Sequence, residues 1–440
     1  MHIAVVGAGM AGLSTAWLLD PDHRITLFET EPRLGGNIHT VTLPTDDGPV
    51  TVDLGAQHLA LGGYPLLTRL LEILDLSPRR TVPVPLSTTI TSAARQTPSL
   101  VTPHSPEPGW PRTAVLGDAW ESVGTLVARA AEWQDQDISW EQPLAELVEP
   151  LPVPRSHKDE LLYPWLASFV GCDTAQVREM SARAAVAFLL LVPPDGPEHA
   201  PVWHNLRHGL NEVCDALARD LRHTAVRLGI GIRTIHKDDD GRLRLTDTRG
   251  ETHHADQVVL ATPPDLAAAI LAPVNGLDTV RTALRAFDYM GVTIAVHADP
   301  AYMPAERHHW STNTITVHDH WAETSTWYGP IHGTDLFKSW ITHREPPLRI
   351  LAQHAFRQLR LTPAAVRARR TLTQAHGTAG IYFAGHYLTG VESQEAALTS
   401  AASTCSTLAP DSPRLQRLLG PAQVTAQMNS TRGMAHPLAR

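Results

Sequence analysis

The sequence predicts an α/β fold in which a Rossmann-like dinucleotide-binding domain is interleaved with an α+β second domain. Three observations predict it. The chain opens on a short apolar strand that runs straight into Gly7-Ala8-Gly9-Met10-Ala11-Gly12 and then a helix. At 440 residues it is too long for one ordinary core, so two domains are expected. Strand and helix patterns of the opening kind return at 205–265 and 376–411, after long blocks of different character. The expected division therefore gives 1–65, 205–265 and 376–411 to the dinucleotide-binding domain and 66–204 and 266–375 to the second. Residues 412–440 read as a peripheral or disordered tail.

Taken in order, His2–Gly7 reads as a buried strand, Met10–Leu19 as a helix and Ile25–Glu29 as a second strand, one βαβ unit. Leu66, Leu67, Leu70, Leu71 and Leu74 recur at helical spacing. The Pro/Ser/Thr-rich stretch Ser77–Pro111 has no clear period and reads as strands and loops. Helical patterns follow at Trp120–Trp133, Glu160–Val170 and Ser181–Leu191, the last stopped by Pro193-Pro194. Asn211–Leu221 is a further helix, after which Val226–Ile235, Leu243–Asp247 and Gln257–Ala261 alternate like strands of a small sheet. Thr293–Val296 and Ser311–His318 read as strands, Leu348–Leu359 as a helix, Gly380–Gly385 as a strand and Gln394–Leu408 as the closing helix.

Composition narrows the function classes. With 43% hydrophobic and 18% charged residues the chain is globular rather than disordered. A formal charge of −9 leaves no broad basic surface for phosphate backbones, so nucleic acid is not an expected partner. Three widely spaced cysteines, Cys172, Cys214 and Cys405, make neither a disulfide framework nor a zinc knuckle, which suits a reducing cytoplasm. No apolar run reaches the ~18 residues of a membrane span, and no leader precedes the first strand. No metal site is read: His308-His309 and His318-x-His320 lack a carboxylate or cysteine at a familiar spacing, and 24 histidines make chance pairs expected.

The glycine turn carries the first chemistry. Gly7 permits the tight turn, Gly9 lets backbone N–H groups approach a pyrophosphate, and Gly12 allows close packing of helix on strand. The helix N-terminus, at Met10 and Ala11, then faces a diphosphate with its positive end. Glu29 ends the next strand 22 residues after Gly7, where a carboxylate accepts ribose hydroxyls and repels a 2′-phosphate. FAD or NAD fits this pattern, and NADP fits poorly. A glycine-rich turn can bind nothing, but strand, helix and acid all in place weigh against that.

Further along stand Glu31-Pro32-Arg33-Leu34-Gly35-Gly36-Asn37, Val52-Asp53-Leu54-Gly55-Ala56-Gln57-His58, Ala261-Thr262-Pro263-Pro264 and Gly380-Ile381-Tyr382-Phe383-Ala384-Gly385. With these the sequence resembles the flavin amine oxidase superfamily, which includes amine and amino-acid oxidases, protoporphyrinogen oxidase, carotenoid desaturases and FAD-dependent fatty-acid isomerases. The resemblance implies FAD. It implies that Arg33, Gly35, Gly36 and Asn37 line the pyrophosphate path and that Gly55, Ala56, Gln57 and His58 lie close to the isoalloxazine. Ile232 would offer its backbone to the adenine, Ala261 belongs to a later FAD segment, and Gly385 would sit near the ribityl chain and pyrophosphate. In the closing helix Ser393 is the expected N-cap, with Gln394 and Ala397 in a first turn whose dipole suits negative charge on the flavin.

The same resemblance marks departures. Amine oxidases of this group carry a lysine in a strand beside the flavin N5 and two aromatic rings before it, yet Gly291–Val296 holds no lysine and Ser393 stands where an aromatic is common. His386 stands where many relatives have an acid. Candidate catalytic groups are His58, His386, Tyr387 and His318, histidine being a suitable base near neutral pH. The leading expectation is an FAD-dependent oxidoreductase that takes hydride from a C–N or C–C bond of a small organic molecule, possible chemistry for specialised metabolism. One rival is an FAD-dependent double-bond isomerase or desaturase acting on a polyene or fatty acyl chain. Another is a flavin-binding protein without turnover.

Overall fold

The computed structural model describes residues 1–45, 48–77, 79–92, 97–102, 117–193 and 199–420. Five strands form a parallel sheet in the order Ile381–Phe383, Gln257–Leu260, His2–Val6, Arg24–Glu29 and Thr224–Leu228. Both faces are covered at the centre of the sheet, which is why His2–Val6 and Gln257–Leu260 are almost continuously apolar, whereas the edge strand Thr224–Leu228 is largely exposed. Ile3, Val5, Ile25, Leu27 and Val259 face the helices Met10–Leu19 and Gln394–Leu408. Ala4, Val6, Phe28, Val258 and Leu260 face the other way, toward a three-stranded antiparallel meander, Ile232–Lys237, Leu243–Asp247 and Thr252–Ala255.

Seven strands make the second sheet, in the order Ile350–Arg360, Asp288–His297, Phe337–Trp340, Trp321–Trp327, Asn313–His318, Thr88–Ser92 and Leu100–Val101. Helices between Gly117 and Leu190 pack on it through Leu126, Tyr163, Leu166 and Val186 against Ile90, Leu100, Ile315 and Ala322. Hairpin Thr40–Thr45 and Gly48–Asp53 leads from the first sheet toward the second, and Leu54 and Phe356 share a core there.

Several expectations need correction. Leu348–Leu359 is not helical: Ile350–Arg360 is an eleven-residue strand paired antiparallel with Asp288–His297. Its Leu351, Ala355 and Leu359 mimic helical spacing, but the long ladder beside it overrides that local preference. The supposed small sheet divides, since Thr224–Leu228 and Gln257–Leu260 join the parallel sheet and only the three meander strands form the small one. The start of the tail is packed rather than peripheral. A helical stretch at 413–420 buries Leu415 and Leu418, while Ser412 Oγ donates to Leu18 O at 2.6 Å and Arg414 Nη1 to Trp17 O at 2.7 Å. Residues 421–440, like 93–96 and 103–111 of the Ser77–Pro111 stretch, lie outside the described residues. No described helix is long and apolar enough to cross a membrane.

Candidate active site

The C-terminal ends of the parallel strands carry the first part of the site. Gly7 has φ of +99°, and a Cβ on it would come within 2.6 Å of Ala261 O; one on Gly12 would lie 1.8 Å from Gly7 O. Both glycines are thus demanded by the protein's own packing. Gly9 is not: its Cβ would meet only Gly36 Cα at 3.8 Å and Gly35 O at 3.9 Å. Glycine at this position suits a group lying across the turn, and the open cradle between the two glycine turns is shaped to receive one. Gly9 and Gly35 form a bridge, with Gly35 N donating to Ala8 O at 2.9 Å. Gly35 and Gly36 have φ of +112° and +58°. Ala8, Met10 and Ala11 are buried beneath the turn.

Glu29 stands at the rim of this cradle, Oε2 accepting from Ala8 N at 2.7 Å and Oε1 from Glu31 N at 2.9 Å. Arg33 is tied to the second turn, donating to Ile38 O at 2.8 Å and Gly36 O at 2.9 Å; desolvation lowers its pKa against the pull of Glu31 and Glu29. Ile230 N donates to Glu29 O at 2.9 Å, so the chain entering the meander at Ile232 passes beside the same rim. Thr262 Oγ1, next to Ala261 and Gly7, is buried without a hydrogen-bond partner. An open cradle, an acid at its rim and an orphaned hydroxyl fit a dinucleotide such as FAD.

The cradle continues through Asn37. A Cβ on Gly55 would lie 1.9 Å from Asn37 O, Ala56 N donates to that oxygen at 2.9 Å, and Asn37 Nδ2 donates to Glu392 Oε1 at 2.8 Å. From the far side Ala261 N reaches Val6 O at 2.8 Å, and Gly385 N donates to Ser400 Oγ at 3.0 Å. Ser393 caps the closing helix, its Oγ accepting from Ala396 N at 3.1 Å. Gln394 and Ala397 are buried in the first turn. The sequence-predicted cofactor residues therefore converge on one run from Glu29 to the N-terminus of the closing helix.

Sequence reasoning missed the side chain at the end of that run. Lys338, on Phe337–Trp340, is 6% exposed. Its Nζ donates to Gly55 O at 2.7 Å and to Gln57 Oε1 at 2.8 Å, and Tyr328 OH donates to the same Gln57 oxygen at 2.8 Å. Burial pushes the Lys338 pKa down to about 7, against the attraction of Asp53. Asp53 is itself buried, accepting from Thr40 Oγ1 at 2.5 Å and Leu210 N at 2.9 Å, and desolvation raises its carboxyl to about 6. The expected strand Gly291–Val296 does lack a lysine; the register pairs Val296 with Lys338 on the neighbouring strand. A signal was present. Only Lys158, Lys237 and Lys338 among 36 cationic residues are lysines, and Lys338 sits in the apolar run Leu336–Ile341.

The four candidate catalytic residues part company. His58 belongs to the site, Nε2 2.5 Å from Gln57 Nε2 and Nδ1 2.8 Å from the Asn205 amide, but desolvation lowers its pKa to about 3 and both ring nitrogens are engaged. His386 is half-buried beside Tyr289 OH at 3.4 Å, with Glu392 Oε1 at 4.0 Å. Tyr387 turns into the core under the parallel sheet, edge-on to Phe287 with ring centroids 5.2 Å apart. His318 lies in a separate ionic cluster, 3.3 Å from Glu323, which also accepts from His343 N and faces Arg344 at 3.5 Å.

Comparison with known proteins finds likenesses in sequence and in fold. The sequence profile of the flavin containing amine oxidoreductases matches residues 10–329. An L-amino-acid oxidase of Bungarus fasciatus is 55% identical over 40 residues, 9% of this chain and 8% of the relative. Protoporphyrinogen oxidase of Schizosaccharomyces pombe is 48% identical over 52 residues, 11% of each chain. This chain thus aligns with only about a tenth of the length of those relatives. In fold the similarity runs end to end. Cyclohexylamine oxidase from Brevibacterium oxydans superposes with a TM-score of 0.63 at 16% identity, covering 92% of this chain and 99% of that one. Putrescine oxidase bound to putrescine gives 0.63 at 15%, covering 93% and 99%.

Proposed function

This chain belongs to the family of flavin-containing amine oxidoreductases, and from that premise we propose that it is an FAD-dependent enzyme oxidising a C–N bond of a small organic amine. FAD, when bound, supplies the hydride acceptor. The residues that would hold it run from Gly7–Gly12 and Glu29, past Arg33, Gly35, Gly36 and Asn37, to Gly55–His58, Ala261, Gly385 and the first turn of the closing helix at Ser393, Gln394 and Ala397.

One observation carries the amine reading: a buried lysine amine hydrogen-bonded to Gly55 O and Gln57 Oε1. Those two acceptors occupy two of its positions. The ammonium form then has one further N–H to give, and the neutral form has one lone pair to receive a proton. With its pKa lowered to about 7, Lys338 takes the proton that an alkylammonium substrate must lose before its carbon can release hydride. His58 stays neutral and holds Gln57, which in turn aims Lys338. Gly55 and Gln57 are the segment assigned to the isoalloxazine by the family resemblance, so the amine and the hydride acceptor would meet there. His58 is thereby recast as a positioning residue, and Tyr387 and His318 drop out of the chemistry.

The test is the visible spectrum of the purified protein under anaerobic conditions, before and after adding primary amines, cyclic amines, amino acids and unsaturated fatty acids. A yellow protein bleached by one amine class is expected. Bleaching by unsaturated acids alone would transfer the enzyme to the double-bond isomerases, and a protein that cannot be loaded with FAD would refute the proposal.

A further inference from the structure

On the face of the parallel sheet turned away from Met10–Leu19, a cavity of about 350 Å³ opens between the sheet and the meander. Volume of this order suits a small ligand. Its lining comes from five strands and the turn before one of them: His2 and Ala4, Arg24, Thr26 and Phe28, Arg227, Leu245 with Arg242, and His253 and His254. The parallel register brings them together. His2 pairs with Arg24, Ala4 with Thr26 and Phe28 with Arg227, so alternate residues of three neighbouring strands share this face. Leu245 pairs with His253 in the meander that covers it.

The charge in this cavity is one-sided. Arg24 and Arg227 form no ion pair with a carboxylate among the described residues. Arg242 has only Asp256 at 3.8 Å, and that carboxylate is already accepting from His2 N at 2.8 Å. Asp247 is committed to its own turn and to His253, accepting from Arg249 N at 2.8 Å and Glu251 N at 2.9 Å. Burial lowers the pKa of His2 first and Arg24 lowers it further, against the pull of Asp256. Three guanidinium groups, on two strands and one turn, two of them without a carboxylate partner, line a cleft with an apolar floor of Ala4, Phe28 and Leu245.

We propose that this cavity is a binding site for a small phosphate-bearing anion, separate from the cofactor cradle. Guanidinium forks pair bidentately with phosphate oxygens, and a phosphate dianion has oxygens enough to meet arginines from more than one side of the cavity. Phe28 adjoins Glu29, which holds the N–H of Ala8, so a ligand here would rest on the strand that ends at the cofactor rim.

The experiment is thermal unfolding of FAD-saturated full-length protein titrated with inorganic phosphate and with pyrophosphate, against sodium chloride at matched ionic strength. FAD saturation keeps the probes out of the glycine cradle. A saturable rise in the unfolding temperature is expected with the phosphates and not with chloride. In the double variant Arg24→Gln, Arg227→Gln the apparent affinity should fall roughly tenfold or more, with the ligand-free unfolding temperature little changed because both side chains are exposed. A response equal in chloride, absent in the wild type, or undiminished in the double variant would overturn the proposal. The last outcome would place the anion elsewhere on the protein.

Discussion

At the scale of single residues two of the three glycines of the first turn, Gly12 and Gly9, separate fold from cofactor. Gly12→Ala should destabilise the protein by roughly 1–3 kcal/mol or more, since its Cβ would lie 1.8 Å from Gly7 O. Gly9→Ala should leave the unfolding of the FAD-free protein almost unchanged, since its Cβ would meet nothing closer than 3.8 Å, while weakening FAD roughly tenfold or more. Chemical denaturation and flavin-quenching titrations measure the two effects. Lys338→Met should lower kcat about 10²–10⁴-fold without loss of bound flavin. Asp53 pulls the Lys338 pKa upward, so Asp53→Asn should favour the neutral amine and move the acid limb of kcat/KM to lower pH. The glycines and Glu29 were legible in the sequence because backbone turns and ribose contacts require particular residues at fixed spacing. Lys338 was not located by the expected strand, because only the pairing of Val296 with Lys338 across two strands 42 positions apart brings it to the site.

Elements separate by how local their causes are. The opening strand, the first helix and the closing helix were readable from apolar period and the Ser393 cap, all properties of neighbouring residues. Ile350–Arg360 was misread because its state is decided by ten partners on Asp288–His297, and no local pattern records them. The packed stretch at 413–420 escaped notice for the same reason: two leucines, Leu415 and Leu418, find their core only among residues remote in sequence. One contact between elements gives a direct test. Glu395 accepts from Leu66 N at 3.0 Å and Leu67 N at 2.8 Å, closing the N-terminus of helix Pro65–Ile73 from the first turn of the closing helix. Glu395→Ala would strand both donors and should cost about 1–3 kcal/mol, measured by urea unfolding. FAD affinity should fall less than with Gly9→Ala, because the Glu395 carboxylate points to helix Pro65–Ile73 and not into the glycine cradle.

Across the whole molecule the proposed cofactor path would draw on segments at 7–12, 29–37, 55–58, 261, 385 and 393–397, which are remote in sequence. A ligand spanning them stabilises the native state by mass action, about 2.7 kcal/mol at a hundredfold excess over Kd, so stripping FAD should lower the unfolding temperature and adding it back should restore it. The seven-stranded sheet delivers Lys338 to Gln57, and in the proposed reading that contact joins cofactor binding to proton handling. The rate of anaerobic flavin bleaching by the best amine, followed by stopped flow across pH in wild type and Lys338→Met, tests that joint claim most directly. The wild-type rate should rise with pH through about 7, the value to which burial lowers Lys338, and the variant should show a slow rate without that limb. A limb that persists unchanged in Lys338→Met would contradict that claim.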